Sequence, residues 1–342
     1  MEHTQIYIIL LFVFLMMIRL TGTSGAFNKS QLFRWIITVV LILIATFRSS
    51  EMADYSNYSR AFKYVGDLRF EPAFLVIRAL ARISENPAIF GFFLFALVSV
   101  CAKVKAIRKF KVPFIDAVLV YLTYIYVAQD LVAIRSGAAA SVLLLALHYR
   151  RSSLIKSIFC FVVACTFHLS ALLFILIYIL SYDKLNRLLY VLLIIASYGY
   201  YILDVEFVND IIEHFYSSTT LDLLTYTVNE INALNLLQIG HTIVCIMIWI
   251  RIRRIEPVNK EVLILLKLYT VAVCALPLLS DYIQIAVRTS ELFYTVEFLL
   301  LPLAFNHMFK HRLTNNILFV VYSLVMFYIV VTDWAYWNPS LL

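Results

Sequence analysis

The chain has 342 residues, of which 63% are apolar and 14% charged, with seven glycines and a mean hydropathy of +0.89. Soluble domains carry roughly 45–50% apolar and about 25% charged residues, so this composition excludes a water-facing globular surface and describes a membrane protein. It also excludes a disordered, collagen-like or disulfide-framework chain, and the net charge of +7 points to anchoring residues on the cytoplasmic side of a membrane rather than to nucleic acid.

A membrane-crossing helix needs roughly 20 apolar residues, with about 17 tolerated. In chain order, candidate stretches lie at 5–20, 32–48, 87–102, 112–129, 131–149, 154–167, 168–182, 188–203, 233–250, 262–280, 289–306 and 314–332. They predict an all-α, polytopic fold of about twelve transmembrane helices. The first, from Ile6 to Ile18, lacks the basic flank and small-residue cleavage site of a secretion signal and is read as a retained crossing. There is no internal repeat and no Gly/Ser linker, so residues 1–342 are expected to form a single transmembrane domain.

With the N-terminus outside, 20 of the 28 basic residues fall in loops on one side, which the positive-inside rule makes cytoplasmic. The other side receives two large segments. One is 48–86; the other is 204–232, which has six acids and no Lys or Arg. This orientation requires 154–182 to cross twice, because one helix of that length would run about 44 Å and reverse every later loop. Two crossings of about 14 residues are short for a bilayer, so the turn near His168 is expected below the outer surface, at the floor of a water-accessible cavity. Within 48–86, EPAFLVIRALARIS spaces Arg78 and Arg82 four apart, an amphipathic interfacial pattern read as a solvated basic face, with lipid phosphate contact as the second reading.

Ionisable groups inside crossings are costly and usually face the bundle interior or a cavity. Arg135 in QDLVAIRSGAAASVLL lies about one turn inside the outer end of its crossing and is followed by small residues that permit close helix contact. Snorkelling to the outer headgroups is its alternative. Arg288 stands near Asp281 and Glu291, and an ion pair with either acid is the plainer reading. Arg48 opens the segment RSSEMADYSNYSRAF, where Asp54, Tyr55 and Tyr58 follow; capping or loop packing would explain that cluster equally. His168, in TFHLSALLF, is a general base, a phosphate donor or a satisfied core histidine. Asp281 and Asp54 are the carboxylates best placed to accept a hydroxyl proton.

Three arginines arriving at one face from distant parts of the chain supply forked donors suited to phosphate oxygens. The five cysteines lie in apolar runs without metal spacing. P-loop, zinc-protease, serine-hydrolase and D-x-D patterns are absent, so no cofactor and no metal site is expected.

These residues carry a resemblance. RSSEMADYSNYSRAF with the following EPAF resembles the arginine, D-Y-x-x-Y and E-P-x-F pattern of the EpsG family. IRSGAAASVLLLAL and CTFHLSALLF resemble its I-R-x-G-x-A and F-H-x-S-A blocks, and Arg288 with Phe293 and Tyr294 resembles its late R-x-x-x-x-Y/F element. The resemblance covers roughly residues 45 to 300. Ser136 departs from it, standing where glutamine is commoner.

The resemblance implies a Wzy-type O-antigen or exopolysaccharide polymerase of GT-C-like architecture in the bacterial inner membrane, with the 48–86 and 204–232 segments and the active site facing the periplasm. Donor and acceptor would be oligosaccharide repeat units carried on undecaprenyl diphosphate, and a chain-length regulator protein is the expected partner. Arg135 and Arg288, then Arg48, would bind the diphosphate, with Tyr55 and Tyr58 contributing to substrate binding. His168, Asp281 and Asp54 are the candidate bases. A lipid-linked oligosaccharide flippase and an O-antigen ligase are the alternatives.

Overall fold

A computed structural model describes residues 3–64, 70–183, 185–203, 232–255 and 261–332; the 204–232 acidic segment therefore lies outside the described residues except for Asn232. The helices run between two ends of one bundle. Asn28 Oδ1 accepts a hydrogen bond from the Ile115 amide at 2.8 Å, and Arg19 Nε lies 2.7 Å from Asp116. These contacts join the connection between α1 (His3–Leu20), α2 (Ser24–Lys29) and α3 (Gln31–Thr46) to the start of α7 (Phe114–Thr123). At the opposite end, Gln5 Nε2 donates to the Val331 carbonyl and the Ser49 amide to Thr4 Oγ1, both at 2.7 Å.

Helix starts follow from local chemistry. Ser30, Asn86 and Ser153 each accept a hydrogen bond from the amide three residues on, which satisfies one of the otherwise orphaned donors of a first turn. They open α3, α6 (Pro87–Lys109) and α9 (Leu154–Phe167). Between α3 and α6 lie α4 (Tyr55–Lys63) and α5 (Pro72–Ala81), which bury Phe62 and Phe74 in the core. The solvated basic face expected for α5 needs correction. Arg82 is exposed, but Arg78 is 7% exposed and lies on the face that buries Phe74, Ile77 and Ala81. Val76, Leu80 and Ile83 point outward instead, so the outward stripe is apolar.

Among the described residues, five helices are long and apolar enough to cross a membrane: α1, α6, α12 (Leu236–Ile255), α13 (Glu261–Leu278) and α16 (Arg312–Thr332). Among the shorter apolar helices are α3, α9 and α11 (Arg187–Ile202). The chain is thus a polytopic, all-α membrane protein. The stretch after α9 returns as expected: a 3₁₀ segment (Leu169–Ile175) and α10 (Leu176–Ile179) lead back to the start of the α9 hairpin. There Arg150 donates to the Leu180 carbonyl at 2.8 Å, and the Tyr182 hydroxyl to the Leu147 carbonyl at 3.0 Å. His168 is the reversal point, about 21 Å from the start of α9, short of a hydrocarbon core of about 30 Å.

Two of the expected crossings are broken. Residues 112–129 form α7 and then turn by 71° into a π-helical segment, Tyr126–Val132, ahead of α8 (Ile134–Ser152). The break accommodates two polar residues that need partners at this depth. Asp130 Oδ2 lies 2.6 Å from Lys103 Nζ and accepts from the Tyr121 hydroxyl at 2.6 Å, and both charged side chains are completely buried. Gln129 Nε2 donates to the Glu291 carbonyl at 2.7 Å and to Thr295 Oγ1 at 2.5 Å. Thr295 marks the second break, between α14 (Ile283–Tyr294) and α15 (Glu297–Phe305). The helix begins at Ile283, ahead of the apolar run expected at 289–306, and Arg288 sits inside α14.

The π segment is fastened from every side. Arg48 Nη1 donates to the Leu131 carbonyl at 2.5 Å, and the Tyr126 hydroxyl to the Leu41 carbonyl at 2.6 Å. Gly137, in the first turn of α8, is required by this contact, since a Cβ there would stand 2.3 Å from the Gln129 carbonyl oxygen. A separate buried polar knot joins α12, α13, α15 and α16. His241 Nδ1 is 2.8 Å from the Tyr269 hydroxyl, and Tyr322 hydrogen-bonds Glu297.

Breaking a buried ion pair by removing one partner typically costs about 3–5 kcal/mol, whereas replacing both is far milder. Lys103→Met alone should lower the unfolding temperature of the detergent-solubilised protein sharply, and Lys103→Met/Asp130→Asn should recover most of that loss. Equal losses in the two variants would show that the pair does not hold the π segment.

Candidate functional site

The candidate site lies at the end of the bundle that carries α4, α5, the start of α8 and the His168 turn. Its centre is Glu71. This residue caps α5, with Pro72 at the first helical position, where a missing amide hydrogen costs nothing. Its carboxylate makes no capping bond and instead reaches two other segments. Arg135 Nη1 lies 2.5 Å from Oε2, and His168 Nδ1 lies 2.6 Å from Oε1. The three side chains are 16–23% exposed, so they are reachable from solvent yet sheltered enough for charge to act strongly.

Arg135 enters from the first turn of α8, which the π segment aims. Its Nε lies 3.4 Å from the Tyr58 hydroxyl, and its guanidinium carbon lies 5.0 Å from the Phe70 ring centre. His168 has an extended backbone between α9 and the 3₁₀ segment, which turns its ring out of both helices. Arg288 comes from α14. It lies 3.7 Å from Asp54 and 3.3 Å from Glu291. Asp54 adopts a left-handed backbone conformation, φ +62°, at the start of α4, a geometry that Asp tolerates better than most residues.

Glu71 thus joins Arg135 to His168, Arg288 pairs with Asp54 and Glu291, and Tyr58 lies within charge range of Arg135, Arg288 and Asp54, between the two groups. Tyr55 opens α4 with its ring 5.1 Å from that of Phe92. Arg48 lies beneath this layer and is 5% exposed. Its Nε and Nη1 donate to the Ala45 and Leu131 carbonyls, its Nη2 has no hydrogen-bond partner among the described residues, and its guanidinium stacks 4.3 Å from the Phe92 ring centre. In this arrangement Arg48 supports the π segment that presents Arg135. Asp281 is exposed in the turn that leads into α14.

Glu71 is the residue that sequence reasoning left out. Its one signal is the E-P-x-F element of the resemblance, and nothing in its spacing connects it with an arginine 64 residues and a histidine 97 residues away. Among the described residues, no group of three or more His, Cys, Asp or Glu side chains could hold a metal ion.

The charges are balanced locally. Burial acts to raise the Glu71 carboxyl, but the His168 hydrogen bond and the Arg135 charge outweigh it and hold its pKa at about 2. Burial also pushes the Tyr58 phenol above its ordinary value, which keeps it neutral. Because an ionised carboxylate only accepts hydrogen bonds, Nδ1 carries the proton in the His168–Glu71 pair. In the neutral ring, Nε2 is then left as a proton acceptor.

A carboxyl held low contributes stability that is complete above its unfolded-state value, ordinarily near 4.3, and is lost as pH falls towards the folded value. The gap in unfolding temperature between wild type and Glu71→Gln should therefore narrow as pH falls from 5 to 2. A gap that stays constant or widens between pH 5 and 2 would contradict the assignment.

No curated protein and no solved structure matches the chain. One family model does, over residues 31–340, and this span takes in every segment that builds the site, from the end of α3 through α4, α5, the π segment, α8 and His168 to α14. The chain belongs to the EpsG family.

Proposed function

We propose that the protein is a Wzy-type polysaccharide polymerase, a metal-independent glycosyltransferase that joins repeat units carried on undecaprenyl diphosphate at the periplasmic face of the bacterial inner membrane. The observation that carries this reading is the convergence of two arginines with a carboxylate-bound histidine at one solvent-reachable end of the bundle. Family membership supports the same class of chemistry.

In this reading the traverses between the two ends are twelve crossings in a GT-C-like arrangement, with the short 3₁₀ return and the bent α7 and α14/α15 units counted as crossings. The positive-inside rule then turns the site towards the periplasm. The basic residues at the other end, such as Arg19, Lys105, Arg108, Arg254 and Lys310, face the cytoplasm.

The reaction is attack of an acceptor sugar hydroxyl on the anomeric carbon of the donor unit, with loss of the lipid diphosphate. Negative charge grows on the leaving diphosphate in the transition state, so preorganised cations there are the largest contribution the protein can make. Arg135 and Arg288 fill that role. Each is already held by a carboxylate, which fixes the guanidinium plane and spares the entropy of ordering it on binding. Arg48 acts through the π segment rather than through substrate.

His168 Nε2 takes the acceptor's hydroxyl proton, with Glu71 orienting the ring and stabilising the imidazolium that forms, as a buried carboxylate does for a catalytic histidine elsewhere. Asp54 and Asp281 stand as second choices for the base. Tyr55 and Tyr58 offer aromatic and hydroxyl contacts to sugar, and a chain-length regulator protein is the expected partner. A flippase would use the arginines without the histidine, and a ligase would use the same donor with a different acceptor.

The test is polymer length from purified lipid-linked repeat units incubated with the protein in detergent. Wild type should lengthen the glycan without any other acceptor. Removing one preorganised donor typically costs about 10²–10³ in rate, so Arg135→Ala should fall by that much and Arg135→Lys by less. His168→Ala should abolish elongation while leaving donor binding intact. No elongation by wild type would favour a transporter or ligase, and full-length product from Arg135→Ala would remove that residue from the diphosphate.

A further inference from the structure

At the end of the bundle opposite Glu71, α3 and α6 wall a groove of about 590 Å3. Arg34, Lys105, Arg108 and Lys109 line it, with Trp35 and Thr38, and no acidic side chain is among its lining residues. Arg34 and Arg108 also line an adjoining hollow of about 450 Å3, to which Lys29 and Lys111 add further positive charge, again without an acid. Lys109 additionally stands 6.0 Å from the Tyr149 ring centre. Anchoring cations scattered along a membrane surface snorkel outward singly. Here two arginines from separate helices form the shared wall of two concave, acid-free hollows, an arrangement whose mutual repulsion an anion would relieve.

The apolar side of the groove points to the kind of anion. Trp35 is 58% exposed, a residue type that favours the headgroup level. Val39 and Leu43 follow it at four-residue spacing on the same face of α3 and are also exposed. On α6, Leu97 is exposed and Cys101 and Val104 continue the strip into the groove. A cationic hollow thus runs directly into an outward apolar track, which matches an amphiphile with a phosphate head and hydrocarbon tails. A water-soluble phosphate would satisfy the cations and leave the track unused.

We propose that this groove is a binding site for an anionic phospholipid. The phosphate headgroup sits between Arg34 and Arg108, the Trp35 ring lies at the glycerol level, and an acyl chain follows Val39 and Leu43. The site is separate from the Glu71 cluster and does not depend on the polymerase reading.

Native mass spectrometry of the detergent-purified full chain tests this, with phosphatidylglycerol and phosphatidylethanolamine as probes. Wild type should retain phosphatidylglycerol in preference to phosphatidylethanolamine. A cation near an anionic headgroup is worth about 1 kcal/mol, so Arg34→Ala/Arg108→Ala should weaken retention roughly 10- to 30-fold. Arg34→Lys/Arg108→Lys should keep most of it, and Arg253→Ala, an exposed cation on α12 outside the groove, should leave it unchanged. Millimolar inorganic phosphate should not displace the lipid. Equal retention of the two lipids, no loss in the double alanine variant, or displacement by phosphate alone would each overturn the proposal.

Discussion

The architecture depends on a single buried ion pair. Lys103 and Asp130 meet at 2.6 Å with no solvent access, deep in a bundle built almost entirely from apolar side chains. Neither charge is tolerable alone at such depth. Together, and with the Tyr121 hydroxyl, they force α7 to stop at Thr123 and the chain to pass through a π-helical turn before α8 begins. That turn is the common support of the candidate site. Its end is held by Arg48, its Gln129 side chain holds α14, and its carbonyl at Gln129 sits against Gly137 of α8. The two helices that deliver Arg288 and Arg135 are therefore registered against the same short element.

On this support the site arranges opposite charges so that each cation is held without being consumed. Glu71 fixes Arg135 and His168 together, while Asp54 and Glu291 fix Arg288. The Glu71 carboxyl, held well below its ordinary range, stays ionised at any working pH, so the Arg135 guanidinium plane and the imidazole tautomer are set before a ligand arrives. Forked, preorganised donors facing an anion that develops charge during reaction are the arrangement that lowers a barrier most. At the other end, basic residues of α3 and α6 gather around a separate groove with no acid in its lining.

Hydropathy was enough to read the membrane class, the apolar helices and the reversal of the chain at His168, because a long apolar run is a direct statement about burial away from water. It misled at 112–129 and 289–306, where Gln129, Asp130 and Thr295 interrupt apolar runs with hydrogen bonds to distant partners that no local window contains. Arg135, His168 and Arg288 stood out because charge inside an apolar run is expensive. Glu71 did not, since it lies in a polar segment where an acid before proline is an ordinary helix start. Arg78 was misjudged for a related reason: both faces of α5 carry apolar residues, and spacing alone does not tell which one the protein covers.

The most direct measurement is chemical cross-linking between α4 and α14 across the site. In a background lacking the five native cysteines, Asp54→Cys and Arg288→Cys should be joined by a short bifunctional thiol reagent in native membranes. The yield should collapse when Lys103→Met is added, because the π segment then releases α14. Failure to cross-link in the otherwise intact protein, or a yield untouched by Lys103→Met, would contradict a site built on the buried Lys103–Asp130 pair.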